Sequence, residues 1–314
     1  MSFTFKKALV TGGAGFIGSH LTHALVEQGC DVTVLDNLST GHIENLTGIL
    51  DSITFIEGDI SDDTILSRVL PGCDVVFHQA AIVSVTQTVE NPVSSTMVND
   101  LGTLKVLEAS RLNNVRRVIL ASSSAVYGDD PQLPKIETMA PKPLSPYAVQ
   151  KLTNEHYAAL YHGLFGLETV CLRYFNVFGP RQDPSSPYSG VISIFMLRAA
   201  QGQAPVIYGD GHQTRDFIYV RDVVRANLLA AASTKAPGHV FNVGTARSIN
   251  INTLWERIAD LAGIDIIPEY AAAREGEVKH SCAAIHKALD QLEFQPSMLF
   301  EDGLKKTYAW YKQP

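Results

Sequence analysis

The sequence predicts an α/β protein built on a doubly wound parallel sheet, with a smaller, mixed α/β domain at the C-terminal end. Three observations predict this class. Short apolar segments alternate with helical patterns up to residue 175, a glycine-rich turn follows the first segment, and Pro, Gly, Ser and Gln become frequent at 181–214. We therefore expect one domain at 1–175, to which the segment 215–245 returns, and a second domain formed mainly by 176–314.

The composition is that of an ordinary globular protein. The 314 residues are 46% hydrophobic and 18% charged, enough for a sizeable core, and the net charge of −7 argues against nucleic acid as a partner. No apolar run reaches the ~18 residues of a membrane helix, and no cleavable signal is apparent. The four cysteines show no paired spacing, so we expect reduced thiols, no metal site and a cytoplasmic location.

The glycine-rich turn lies between a strand at 8–10 and a helical pattern. A second strand ends at Asp36, so strand, turn, helix and strand fit within about thirty residues, the context of a dinucleotide-binding fingerprint in a Rossmann-type sheet. Gly12 permits the tight turn, Gly15 lets backbone approach a pyrophosphate, and Gly18 allows close helix–strand packing. Asp36 would bind ribose hydroxyls and repel a 2′-phosphate, which favours NAD over NADP.

Further strands continue the alternation. Strands near 54–60 and 74–81 bring Asp59 and His78 to their ends, and Asp59 could meet an adenine. His78 could be catalytic, but a histidine at a buried strand end is more often simply hydrogen-bonded. A fifth strand at 117–121 completes the pattern of a sheet with helical crossovers.

Three serines at 122–124 follow the fifth strand, on the side of the sheet where ligands of open α/β folds lie. A serine there can hydrogen-bond a substrate hydroxyl and relay its proton to Tyr147, although a serine-rich turn that merely caps the strand would look the same. Tyr147 and Lys151 are four residues apart and share one face of a helix. A phenol of pKa about 10 is a poor base, but a fixed positive charge and a cationic nicotinamide favour the phenolate. The pair can therefore accept a proton from an alcohol.

These features form an ordered set of motifs. The set comprises Gly12-x-x-Gly15-x-x-Gly18, Asp36-Asn37-Leu38-Ser39, Gly58-Asp59-Ile60, His78-Gln79-Ala80-Ala81, Ser122-Ser123-Ser124-Ala125-Val126-Tyr127-Gly128, Tyr147-x-x-x-Lys151 and Arg173-Tyr174-Phe175-Asn176-Val177-Phe178-Gly179-Pro180. Over essentially the whole length, the chain resembles the extended short-chain dehydrogenase/reductase family, and within it the nucleotide-sugar 4-epimerases.

The resemblance implies NAD-dependent epimerisation at C4 of a UDP-hexose through a 4-keto sugar, with UDP-GlcNAc/UDP-GalNAc, UDP-Glc/UDP-Gal or both as substrates. Tyr147 would take the proton of the 4-hydroxyl with Ser123 bridging, while the hydride moves to tightly bound NAD and returns to the other face. Lys151 would bind the nicotinamide ribose and lower the pKa of Tyr147. The residues implied to contact NAD are Gly12, Gly15, Phe16, Ile17, Gly18, Asp36, Asn37, Ser39, Asp59, Ile60, Gln79, Ala80, Ala81, Asn99, Ser122, Tyr147, Lys151 and Phe175.

The resemblance also implies a substrate site. Arg215 and Arg274 would clamp the diphosphate, since guanidinium groups suit phosphate oxygens, and Glu277 stands where the family usually has Asp for the uridine ribose. Ser281 occupies the position that lines the sugar's 2-substituent, where a small residue goes with N-acetyl groups and a bulky aromatic with unmodified hexoses. The implied contacts are Val85, Ser123, Tyr147, Asn176, Val191, Val206, Tyr208, Arg215, Arg274, Glu277 and Ser281.

Other activities of the same fold stay open. A nucleotide-sugar 4,6-dehydratase would need an Asp-Glu pair just before Val126, where this chain has Ser124 and Ala125, and UDP-glucuronate decarboxylases normally carry Glu at the position of Ala125. A UDP-glucuronate 4-epimerase is compatible with the motifs, because contacts to a sugar carboxylate cannot be located in the sequence. A non-enzymatic NAD-binding sensor typically lacks the tyrosine or the lysine, and both are present here.

The family commonly dimerises, so we expect a homodimer joined through helices near 97–111 and 147–163. Two such helices from each subunit would form a four-helix interface. Leu104 and Leu107, in the first of them, could belong either to the core or to that interface.

Overall fold

The computed structural model describes residues 5–184, 190–273 and 278–312. The strands are β1 (Lys7–Thr11), β2 (Asp31–Asp36), β3 (Ile53–Glu57), β4 (Val75–His78), β5 (Arg117–Ser123), β6 (Glu168–Tyr174), β7 (Asn176–Phe178), β8 (Val206–Tyr208), β9 (Thr214–Arg215), β10 (Phe217–Tyr219), β11 (His239–Val243), β12 (Ile249–Asn250) and β13 (Glu269–Ala271).

The helices are α1 (Phe16–Glu27), α2 (Asp63–Val69), α3 (Val85–Glu90), α4 (Pro92–Thr96), α5 (Thr103–Leu112), α6 (Pro146–Phe165), α7 (Val191–Ala200), α8 (Val220–Ala232), α9 (Ile251–Ala262), α10 (His286–Leu292) and α11 (Phe300–Tyr311). A π-helical segment at Met97–Gly102 joins α4 to α5. A 3-10 turn at Ser124–Tyr127 follows β5 directly.

Seven strands form one parallel sheet in the order β3-β2-β1-β4-β5-β6-β11. The order reverses direction between β1 and β4, and this switch point is where open α/β sheets bind ligands. The predicted doubly wound sheet is therefore confirmed, together with the smaller C-terminal domain. Pairing of β11 with β6 supports the prediction that the chain returns to the first domain within 215–245.

Side chains of the sheet alternate between two apolar layers because strand residues point to opposite faces. Along β1, Ala8 and Val10 pack into the layer that contains residues of α1 and α8, whereas Leu9 packs into the layer that contains residues of α2, α5 and α6. Both faces of the sheet are therefore covered. The region beyond the carboxyl ends of the strands is where a ligand can bind.

Helix α6 has well-defined ends that the sequence explains. The Ser145 side chain accepts a hydrogen bond from the Ala148 N–H at 3.2 Å, and Pro146 occupies the first turn, where its missing N–H costs nothing. The helix ends at Gly166, whose φ of +71° suits the left-handed cap. Tyr147 lies two residues after the Ser145 cap, so the start of α6 sets the position of Tyr147.

The C-terminal domain has its own apolar core. Helices α7, α9 and α11 pack together there around Phe195, Trp255 and Tyr308. Short strand pairs, β7–β10, β8–β13 and β9–β12, hold the connecting segments. Phe16 and Ile17, the first residues of α1, pack against this core, so the glycine turn adjoins the second domain.

Candidate active site

The glycine turn has the shape that a dinucleotide requires. Gly12 has a φ of +68°, and a Cβ there would lie 2.7 Å from the Ala80 nitrogen, while a Cβ at Gly18 would lie 2.0 Å from the Gly12 oxygen. At Gly15 the nearest atom to an added Cβ is the Gly12 oxygen at 3.2 Å. Because Gly15 is the N-cap, no capping side chain separates the start of α1 from a phosphate. The turn therefore fits the pyrophosphate of NAD.

Asp36 ends β2 beside this turn and is almost fully buried. Its carboxylate accepts hydrogen bonds from the Ala14 and Leu38 N–H groups, each at 2.9 Å. A carboxylate offers about four acceptor positions, so acceptor capacity remains for a ribose hydroxyl. The structure thus places Asp36, the residue predicted to bind the ribose, next to the predicted pyrophosphate site.

The residues expected around the adenosine lie at the ends of β2 and β3. Asn37 donates from Nδ2 to the Asp59 carboxylate at 2.8 Å, and its Oδ1 accepts from the Ser39 N–H at 3.1 Å. Ile60, the next residue after Asp59, is buried. Asn37, Ser39 and Asp59 therefore form a polar rim at the ends of β2 and β3.

Asn99 lies in the π-helical segment and is buried. It accepts from the Ile82 N–H at 2.8 Å and donates to the Ile82 carbonyl at 2.9 Å, as a backbone strand would. These bonds fix the segment 79–81 beside the glycine turn. Gln79 in turn donates to the Asn227 side chain on α8 at 3.2 Å. In this arrangement Asn99 holds the backbone next to the predicted cofactor site.

Ser123, Tyr147 and Lys151 converge at the carboxyl end of β5. The buried Lys151 ammonium donates to the Ala121 carbonyl at 2.9 Å and lies 5.8 Å from the centroid of the Tyr147 ring. The Ser123 hydroxyl accepts from the Ala125 N–H at 3.1 Å and is a hydrogen-bond partner of Tyr147. The three residues predicted to be catalytic are thus brought together.

The pKa values of the pair follow from burial. Burial of the hydroxyl raises the pKa of Tyr147, and the hydrogen bond with Ser123 acts in the opposite direction. Burial lowers the pKa of Lys151 to about 8, against the weaker opposing charges of Cys171 and Asp100. The net effect of the protein's own groups is therefore to raise the pKa of Tyr147, because burial outweighs the opposing hydrogen bond. The lowering that the sequence predicts depends on the positive charge of an oxidised nicotinamide.

Two residues expected at the cofactor direct their side chains elsewhere. The Ser122 hydroxyl donates to the Glu155 carboxylate at 2.5 Å, so its contribution to an NAD site would come from its backbone. Phe175 is buried against Tyr127, with ring centroids 6.4 Å apart. Glu155 was missed in the sequence, although it continues the four-residue spacing of Tyr147 and Lys151.

His78 belongs to the core. Its ring nitrogens lie 2.8 Å from the Thr11 hydroxyl and 2.9 Å from the Thr103 hydroxyl. Burial, with the nearby charge of Lys151, lowers the pKa of His78 to about 3. These contacts favour the hydrogen-bonded interpretation of this histidine over the catalytic one.

The expected substrate residues come from several elements. Asn176 and Val191 begin β7 and α7, and both are half-buried. Val206 and Tyr208 lie on β8, which pairs with β13, and both are partly exposed. Val85 begins α3 and is exposed. These elements lie in both domains, so a substrate site made from them would bridge the domains.

Arg215 and Ser281 are adjacent in the structure although distant in sequence. The Arg215 guanidinium donates to the Thr214 and Lys279 carbonyls at 3.0 and 3.2 Å, and the Ser281 N–H donates to the Thr214 carbonyl at 3.0 Å. Arg274 and Glu277, the other charged residues expected at the substrate, lie outside the described residues.

Asp216 is a buried carboxylate that the sequence analysis missed. It accepts hydrogen bonds from the Thr245, Ala246 and Ala283 N–H groups at 2.8–3.1 Å. These bonds hold the segment that carries Ser281 against β9. An acidic residue directly before the apolar run 217–220 was the available signal, because buried charges occur where specific donors surround them.

A glycine turn at the switch point, a buried carboxylate at the end of β2 and a Ser–Tyr–Lys group indicate a dinucleotide-dependent enzyme of the extended short-chain dehydrogenase/reductase class. The chain belongs to the NAD dependent epimerase/dehydratase family, whose model matches residues 8–244. NAD is therefore the cofactor that this site accommodates. Within residues 5–184, 190–273 and 278–312, no helix is long and apolar enough to span a bilayer, and no three His, Cys, Asp or Glu residues group as a metal site would.

Relatives support this membership over nearly the whole chain. A putative UDP-glucose 4-epimerase of Methanocaldococcus jannaschii is 41% identical over 97% of this chain and 98% of its own. The solved UDP-N-acetylglucosamine 4-epimerase of Methanobrevibacter ruminantium, in complex with UDP-N-acetylmuramic acid, is 44% identical with a TM-score of 0.94, covering 98% of both chains. The UDP-glucose 4-epimerase of Thermotoga maritima, solved with UDP-glucose, is 40% identical with the same TM-score and coverage.

Proposed function

We propose that this protein is an NAD-dependent UDP-sugar 4-epimerase that inverts C4 of a UDP-hexose through a 4-keto sugar. The observation that carries the proposal is the convergence of Ser123, Tyr147 and Lys151 at the same end of the parallel sheet as the glycine turn. Similarity to solved UDP-sugar 4-epimerases over almost the full length supports it.

The chain's own residues handle the proton. Ser123 binds the sugar 4-hydroxyl and orients it toward Tyr147, which takes the proton and later returns it. Lys151, anchored to the Ala121 carbonyl, holds a positive charge beside the tyrosine and stabilises the phenolate form. NAD, when bound, supplies the acceptor and donor of the C4 hydride. The residues that would hold it are the glycine turn, Asp36 and the rim of Asn37 and Asp59.

The residues next to the catalytic serine favour epimerisation over the related eliminations. Ser124 and Ala125 follow Ser123 and carry no carboxylate, whereas removing water or CO2 from the sugar calls for an additional acid or base near C5 and C6. Oxidation and re-reduction at C4 alone needs no additional acid or base. UDP-glucuronate 4-epimerisation is the second candidate, because it uses the same proton chemistry on a sugar with a carboxylate.

For the sugar itself we infer an N-acetylated hexose, UDP-GlcNAc or UDP-GalNAc, with UDP-Glc and UDP-Gal as further substrates. Ser281, the small residue at the position assigned to the 2-substituent, supports this choice. Its position next to Arg215 keeps it near the residue assigned to the diphosphate. Arg274 at the diphosphate and Glu277 at the uridine ribose remain predictions.

We further infer a homodimeric, cytoplasmic enzyme. All four cysteines are free thiols, which supports a reducing compartment. Apolar side chains on α5 and α6, among them Leu112, Leu160 and Leu164, are exposed and support an interface along these helices. Leu107 is buried in the core, and Leu104 packs against it.

The direct test is a substrate panel on the purified chain without added NAD: UDP-GlcNAc, UDP-Glc and UDP-glucuronate, with products resolved by NMR. We expect C4 epimers to form. Tyr147→Phe should lower kcat by about 100- to 10,000-fold, the usual contribution of a general base, while Tyr157→Phe on the same helix should not. Bound NAD without turnover of any UDP-sugar would instead support a sensor.

A further inference from the structure

Ser122, Glu155 and Arg173 form a buried cluster behind the catalytic group, here called the buried triad. The Glu155 carboxylate accepts from Ser122 Oγ at 2.5 Å, from Arg173 Nε at 2.8 Å and from an Arg173 terminal nitrogen at 2.7 Å. Each of the three side chains is at most 6% exposed. The Arg173 guanidinium also lies 4.7 Å from the centroid of the Tyr127 ring.

The buried triad adjoins the catalytic residues on both α6 and β5. On α6, Tyr147, Lys151 and Glu155 follow one another at one-turn intervals, because residues four apart share a helix face. On β5, their partners are consecutive: Ser123 for Tyr147, Ala121 for Lys151 and Ser122 for Glu155. Strand β6 adds Arg173, which pairs with Ser122 in the sheet.

Three contacts to consecutive residues of β5 therefore tie the strand to α6 near the place where the proton moves. A single contact would let α6 rotate or slide on β5. The bond from Ser122 to Glu155 is the one that involves neither Ser123, Tyr147 nor Lys151. Its removal would loosen the alignment without deleting a catalytic atom.

We propose that Ser122, Glu155 and Arg173 are positioning residues that hold the Ser123 hydroxyl at the Tyr147 hydroxyl. The inference rests on the proposed roles of Ser123 and Tyr147. A buried ion pair is weak evidence for stability, because desolvation offsets most of its attraction. Fully satisfied buried networks do rigidify what they join, and here they join the two elements that carry the catalytic pair.

The test uses Ser122→Ala, which removes one hydroxyl and leaves the ion pair of Glu155 and Arg173 intact. We expect kcat to fall by about 10- to 100-fold, since small misplacements of catalytic groups cost rates of this order. The KM and the NAD bound per chain should stay unchanged. The matched control is Ser110→Ala, which removes an equally buried hydroxyl that donates to the Val106 carbonyl at 2.6 Å.

Two further readouts separate positioning from a structural role. Ultraviolet difference titration against Tyr147→Phe gives the pH at which Tyr147 ionises. This pH should rise in Ser122→Ala, because the hydrogen bond between Tyr147 and Ser123 weakens. Ser122→Thr, which restores a hydroxyl, should recover both kcat and the titration. Unaltered kcat and titration relative to Ser110→Ala would overturn the proposal. Loss of bound NAD in Ser122→Ala would also overturn it, since the serine would then be a cofactor ligand.

The titration needs no turnover, so it separates this inference from the proposed function. If the unmodified chain converts no UDP-sugar, the epimerase proposal fails, while the tyrosine titrations of Ser122→Ala and Ser110→Ala still decide the positioning role. If it converts one, the kinetic and titration results must agree.

Discussion

Tyr147 and Lys151 illustrate what a spacing can and cannot predict. Their four-residue interval on α6 was evident in the sequence, and the structure brings Ser123 to them from β5. The direction of the pKa of Tyr147 was not evident, because it depends on how deeply the hydroxyl is buried. Burial raises the pKa of Tyr147, so the protein alone keeps it a neutral phenol at neutral pH.

Ser281 gives the sharpest prediction at the level of one residue. Ser281→Tyr should lower kcat/KM for UDP-GlcNAc relative to UDP-Glc by about 10- to 200-fold, the order of discrimination that pocket size provides. The reason is that a phenol would fill the space assigned to the acetamido group. Kinetics on both sugars measure the ratio.

Ser281 is itself nearly buried, so overpacking is controlled by a second variant. Ser281→Ala, which is smaller, should leave the ratio unaltered. An unchanged ratio in a folded Ser281→Tyr protein would show that this position does not line the sugar's 2-substituent.

Elements with local signals were predicted well. The glycine turn, α1 and the strands on either side follow from apolar periodicity and glycine positions, which depend on neighbours in sequence. The contact of segment 279–284 with the loop after β5 could not be predicted in this way, because the two segments are far apart in the sequence. Lys135 hydrogen-bonds the Cys282 carbonyl and the Ala284 N–H, each at 2.8 Å, and nothing in the local sequence of either segment indicates this pairing.

Gly18 tests the glycine turn as an element. In Gly18→Ala, the new Cβ would lie 2.0 Å from the Gly12 oxygen, so turn and helix must separate. We expect a loss of about 1–3 kcal/mol in the free energy of unfolding, as for overpacked cores, and a marked drop in NAD recovered with the purified protein.

The control for this variant is Gly163→Ala, on the surface of α6. An added Cβ there meets no atom within 4 Å, and replacing a helical glycine gains roughly 0.5–1 kcal/mol. NAD content equal to that of Gly163→Ala would contradict the role of the turn.

At the level of the whole molecule, α5 and α6 carry the expected subunit interface. Leu160 and Leu164 are 52% and 70% exposed, one turn apart on α6. Leu160→Glu should convert a dimer to monomers, since a buried unpaired carboxylate is strongly unfavourable, and light scattering would measure the mass. Ile267→Glu, at an exposed residue of the C-terminal domain, should leave the mass unaltered. A monomeric unmodified protein would refute the interface.

Two histidines make stability depend on pH. Burial, with the charge of Lys151, lowers the pKa of His78 to about 3, and burial, with Arg181 and Arg221 outweighing a bond to the Pro180 carbonyl, lowers the pKa of His20 to about 4. The native protein keeps both neutral where the unfolded chain, with pKa values near 6.5, takes up protons. Their contribution to stability is therefore complete above pH ~6.5 and is lost as the pH falls toward these lowered values.

We expect the free energy of unfolding to fall between pH ~6 and ~4 by up to about 1.4 kcal/mol per pH unit for each histidine, on top of the carboxylates. His78→Asn should remove one such contribution and flatten the curve, while lowering stability at neutral pH because the Thr11 and Thr103 hydrogen bonds change. His156→Asn, at an exposed position of α6, should keep the slope of the unmodified protein. Urea unfolding across this range measures all three. Equal slopes of the free energy of unfolding against pH for His78→Asn and His156→Asn would mean that His78 becomes protonated in the native state. The charged imidazole would then be tolerated in the core.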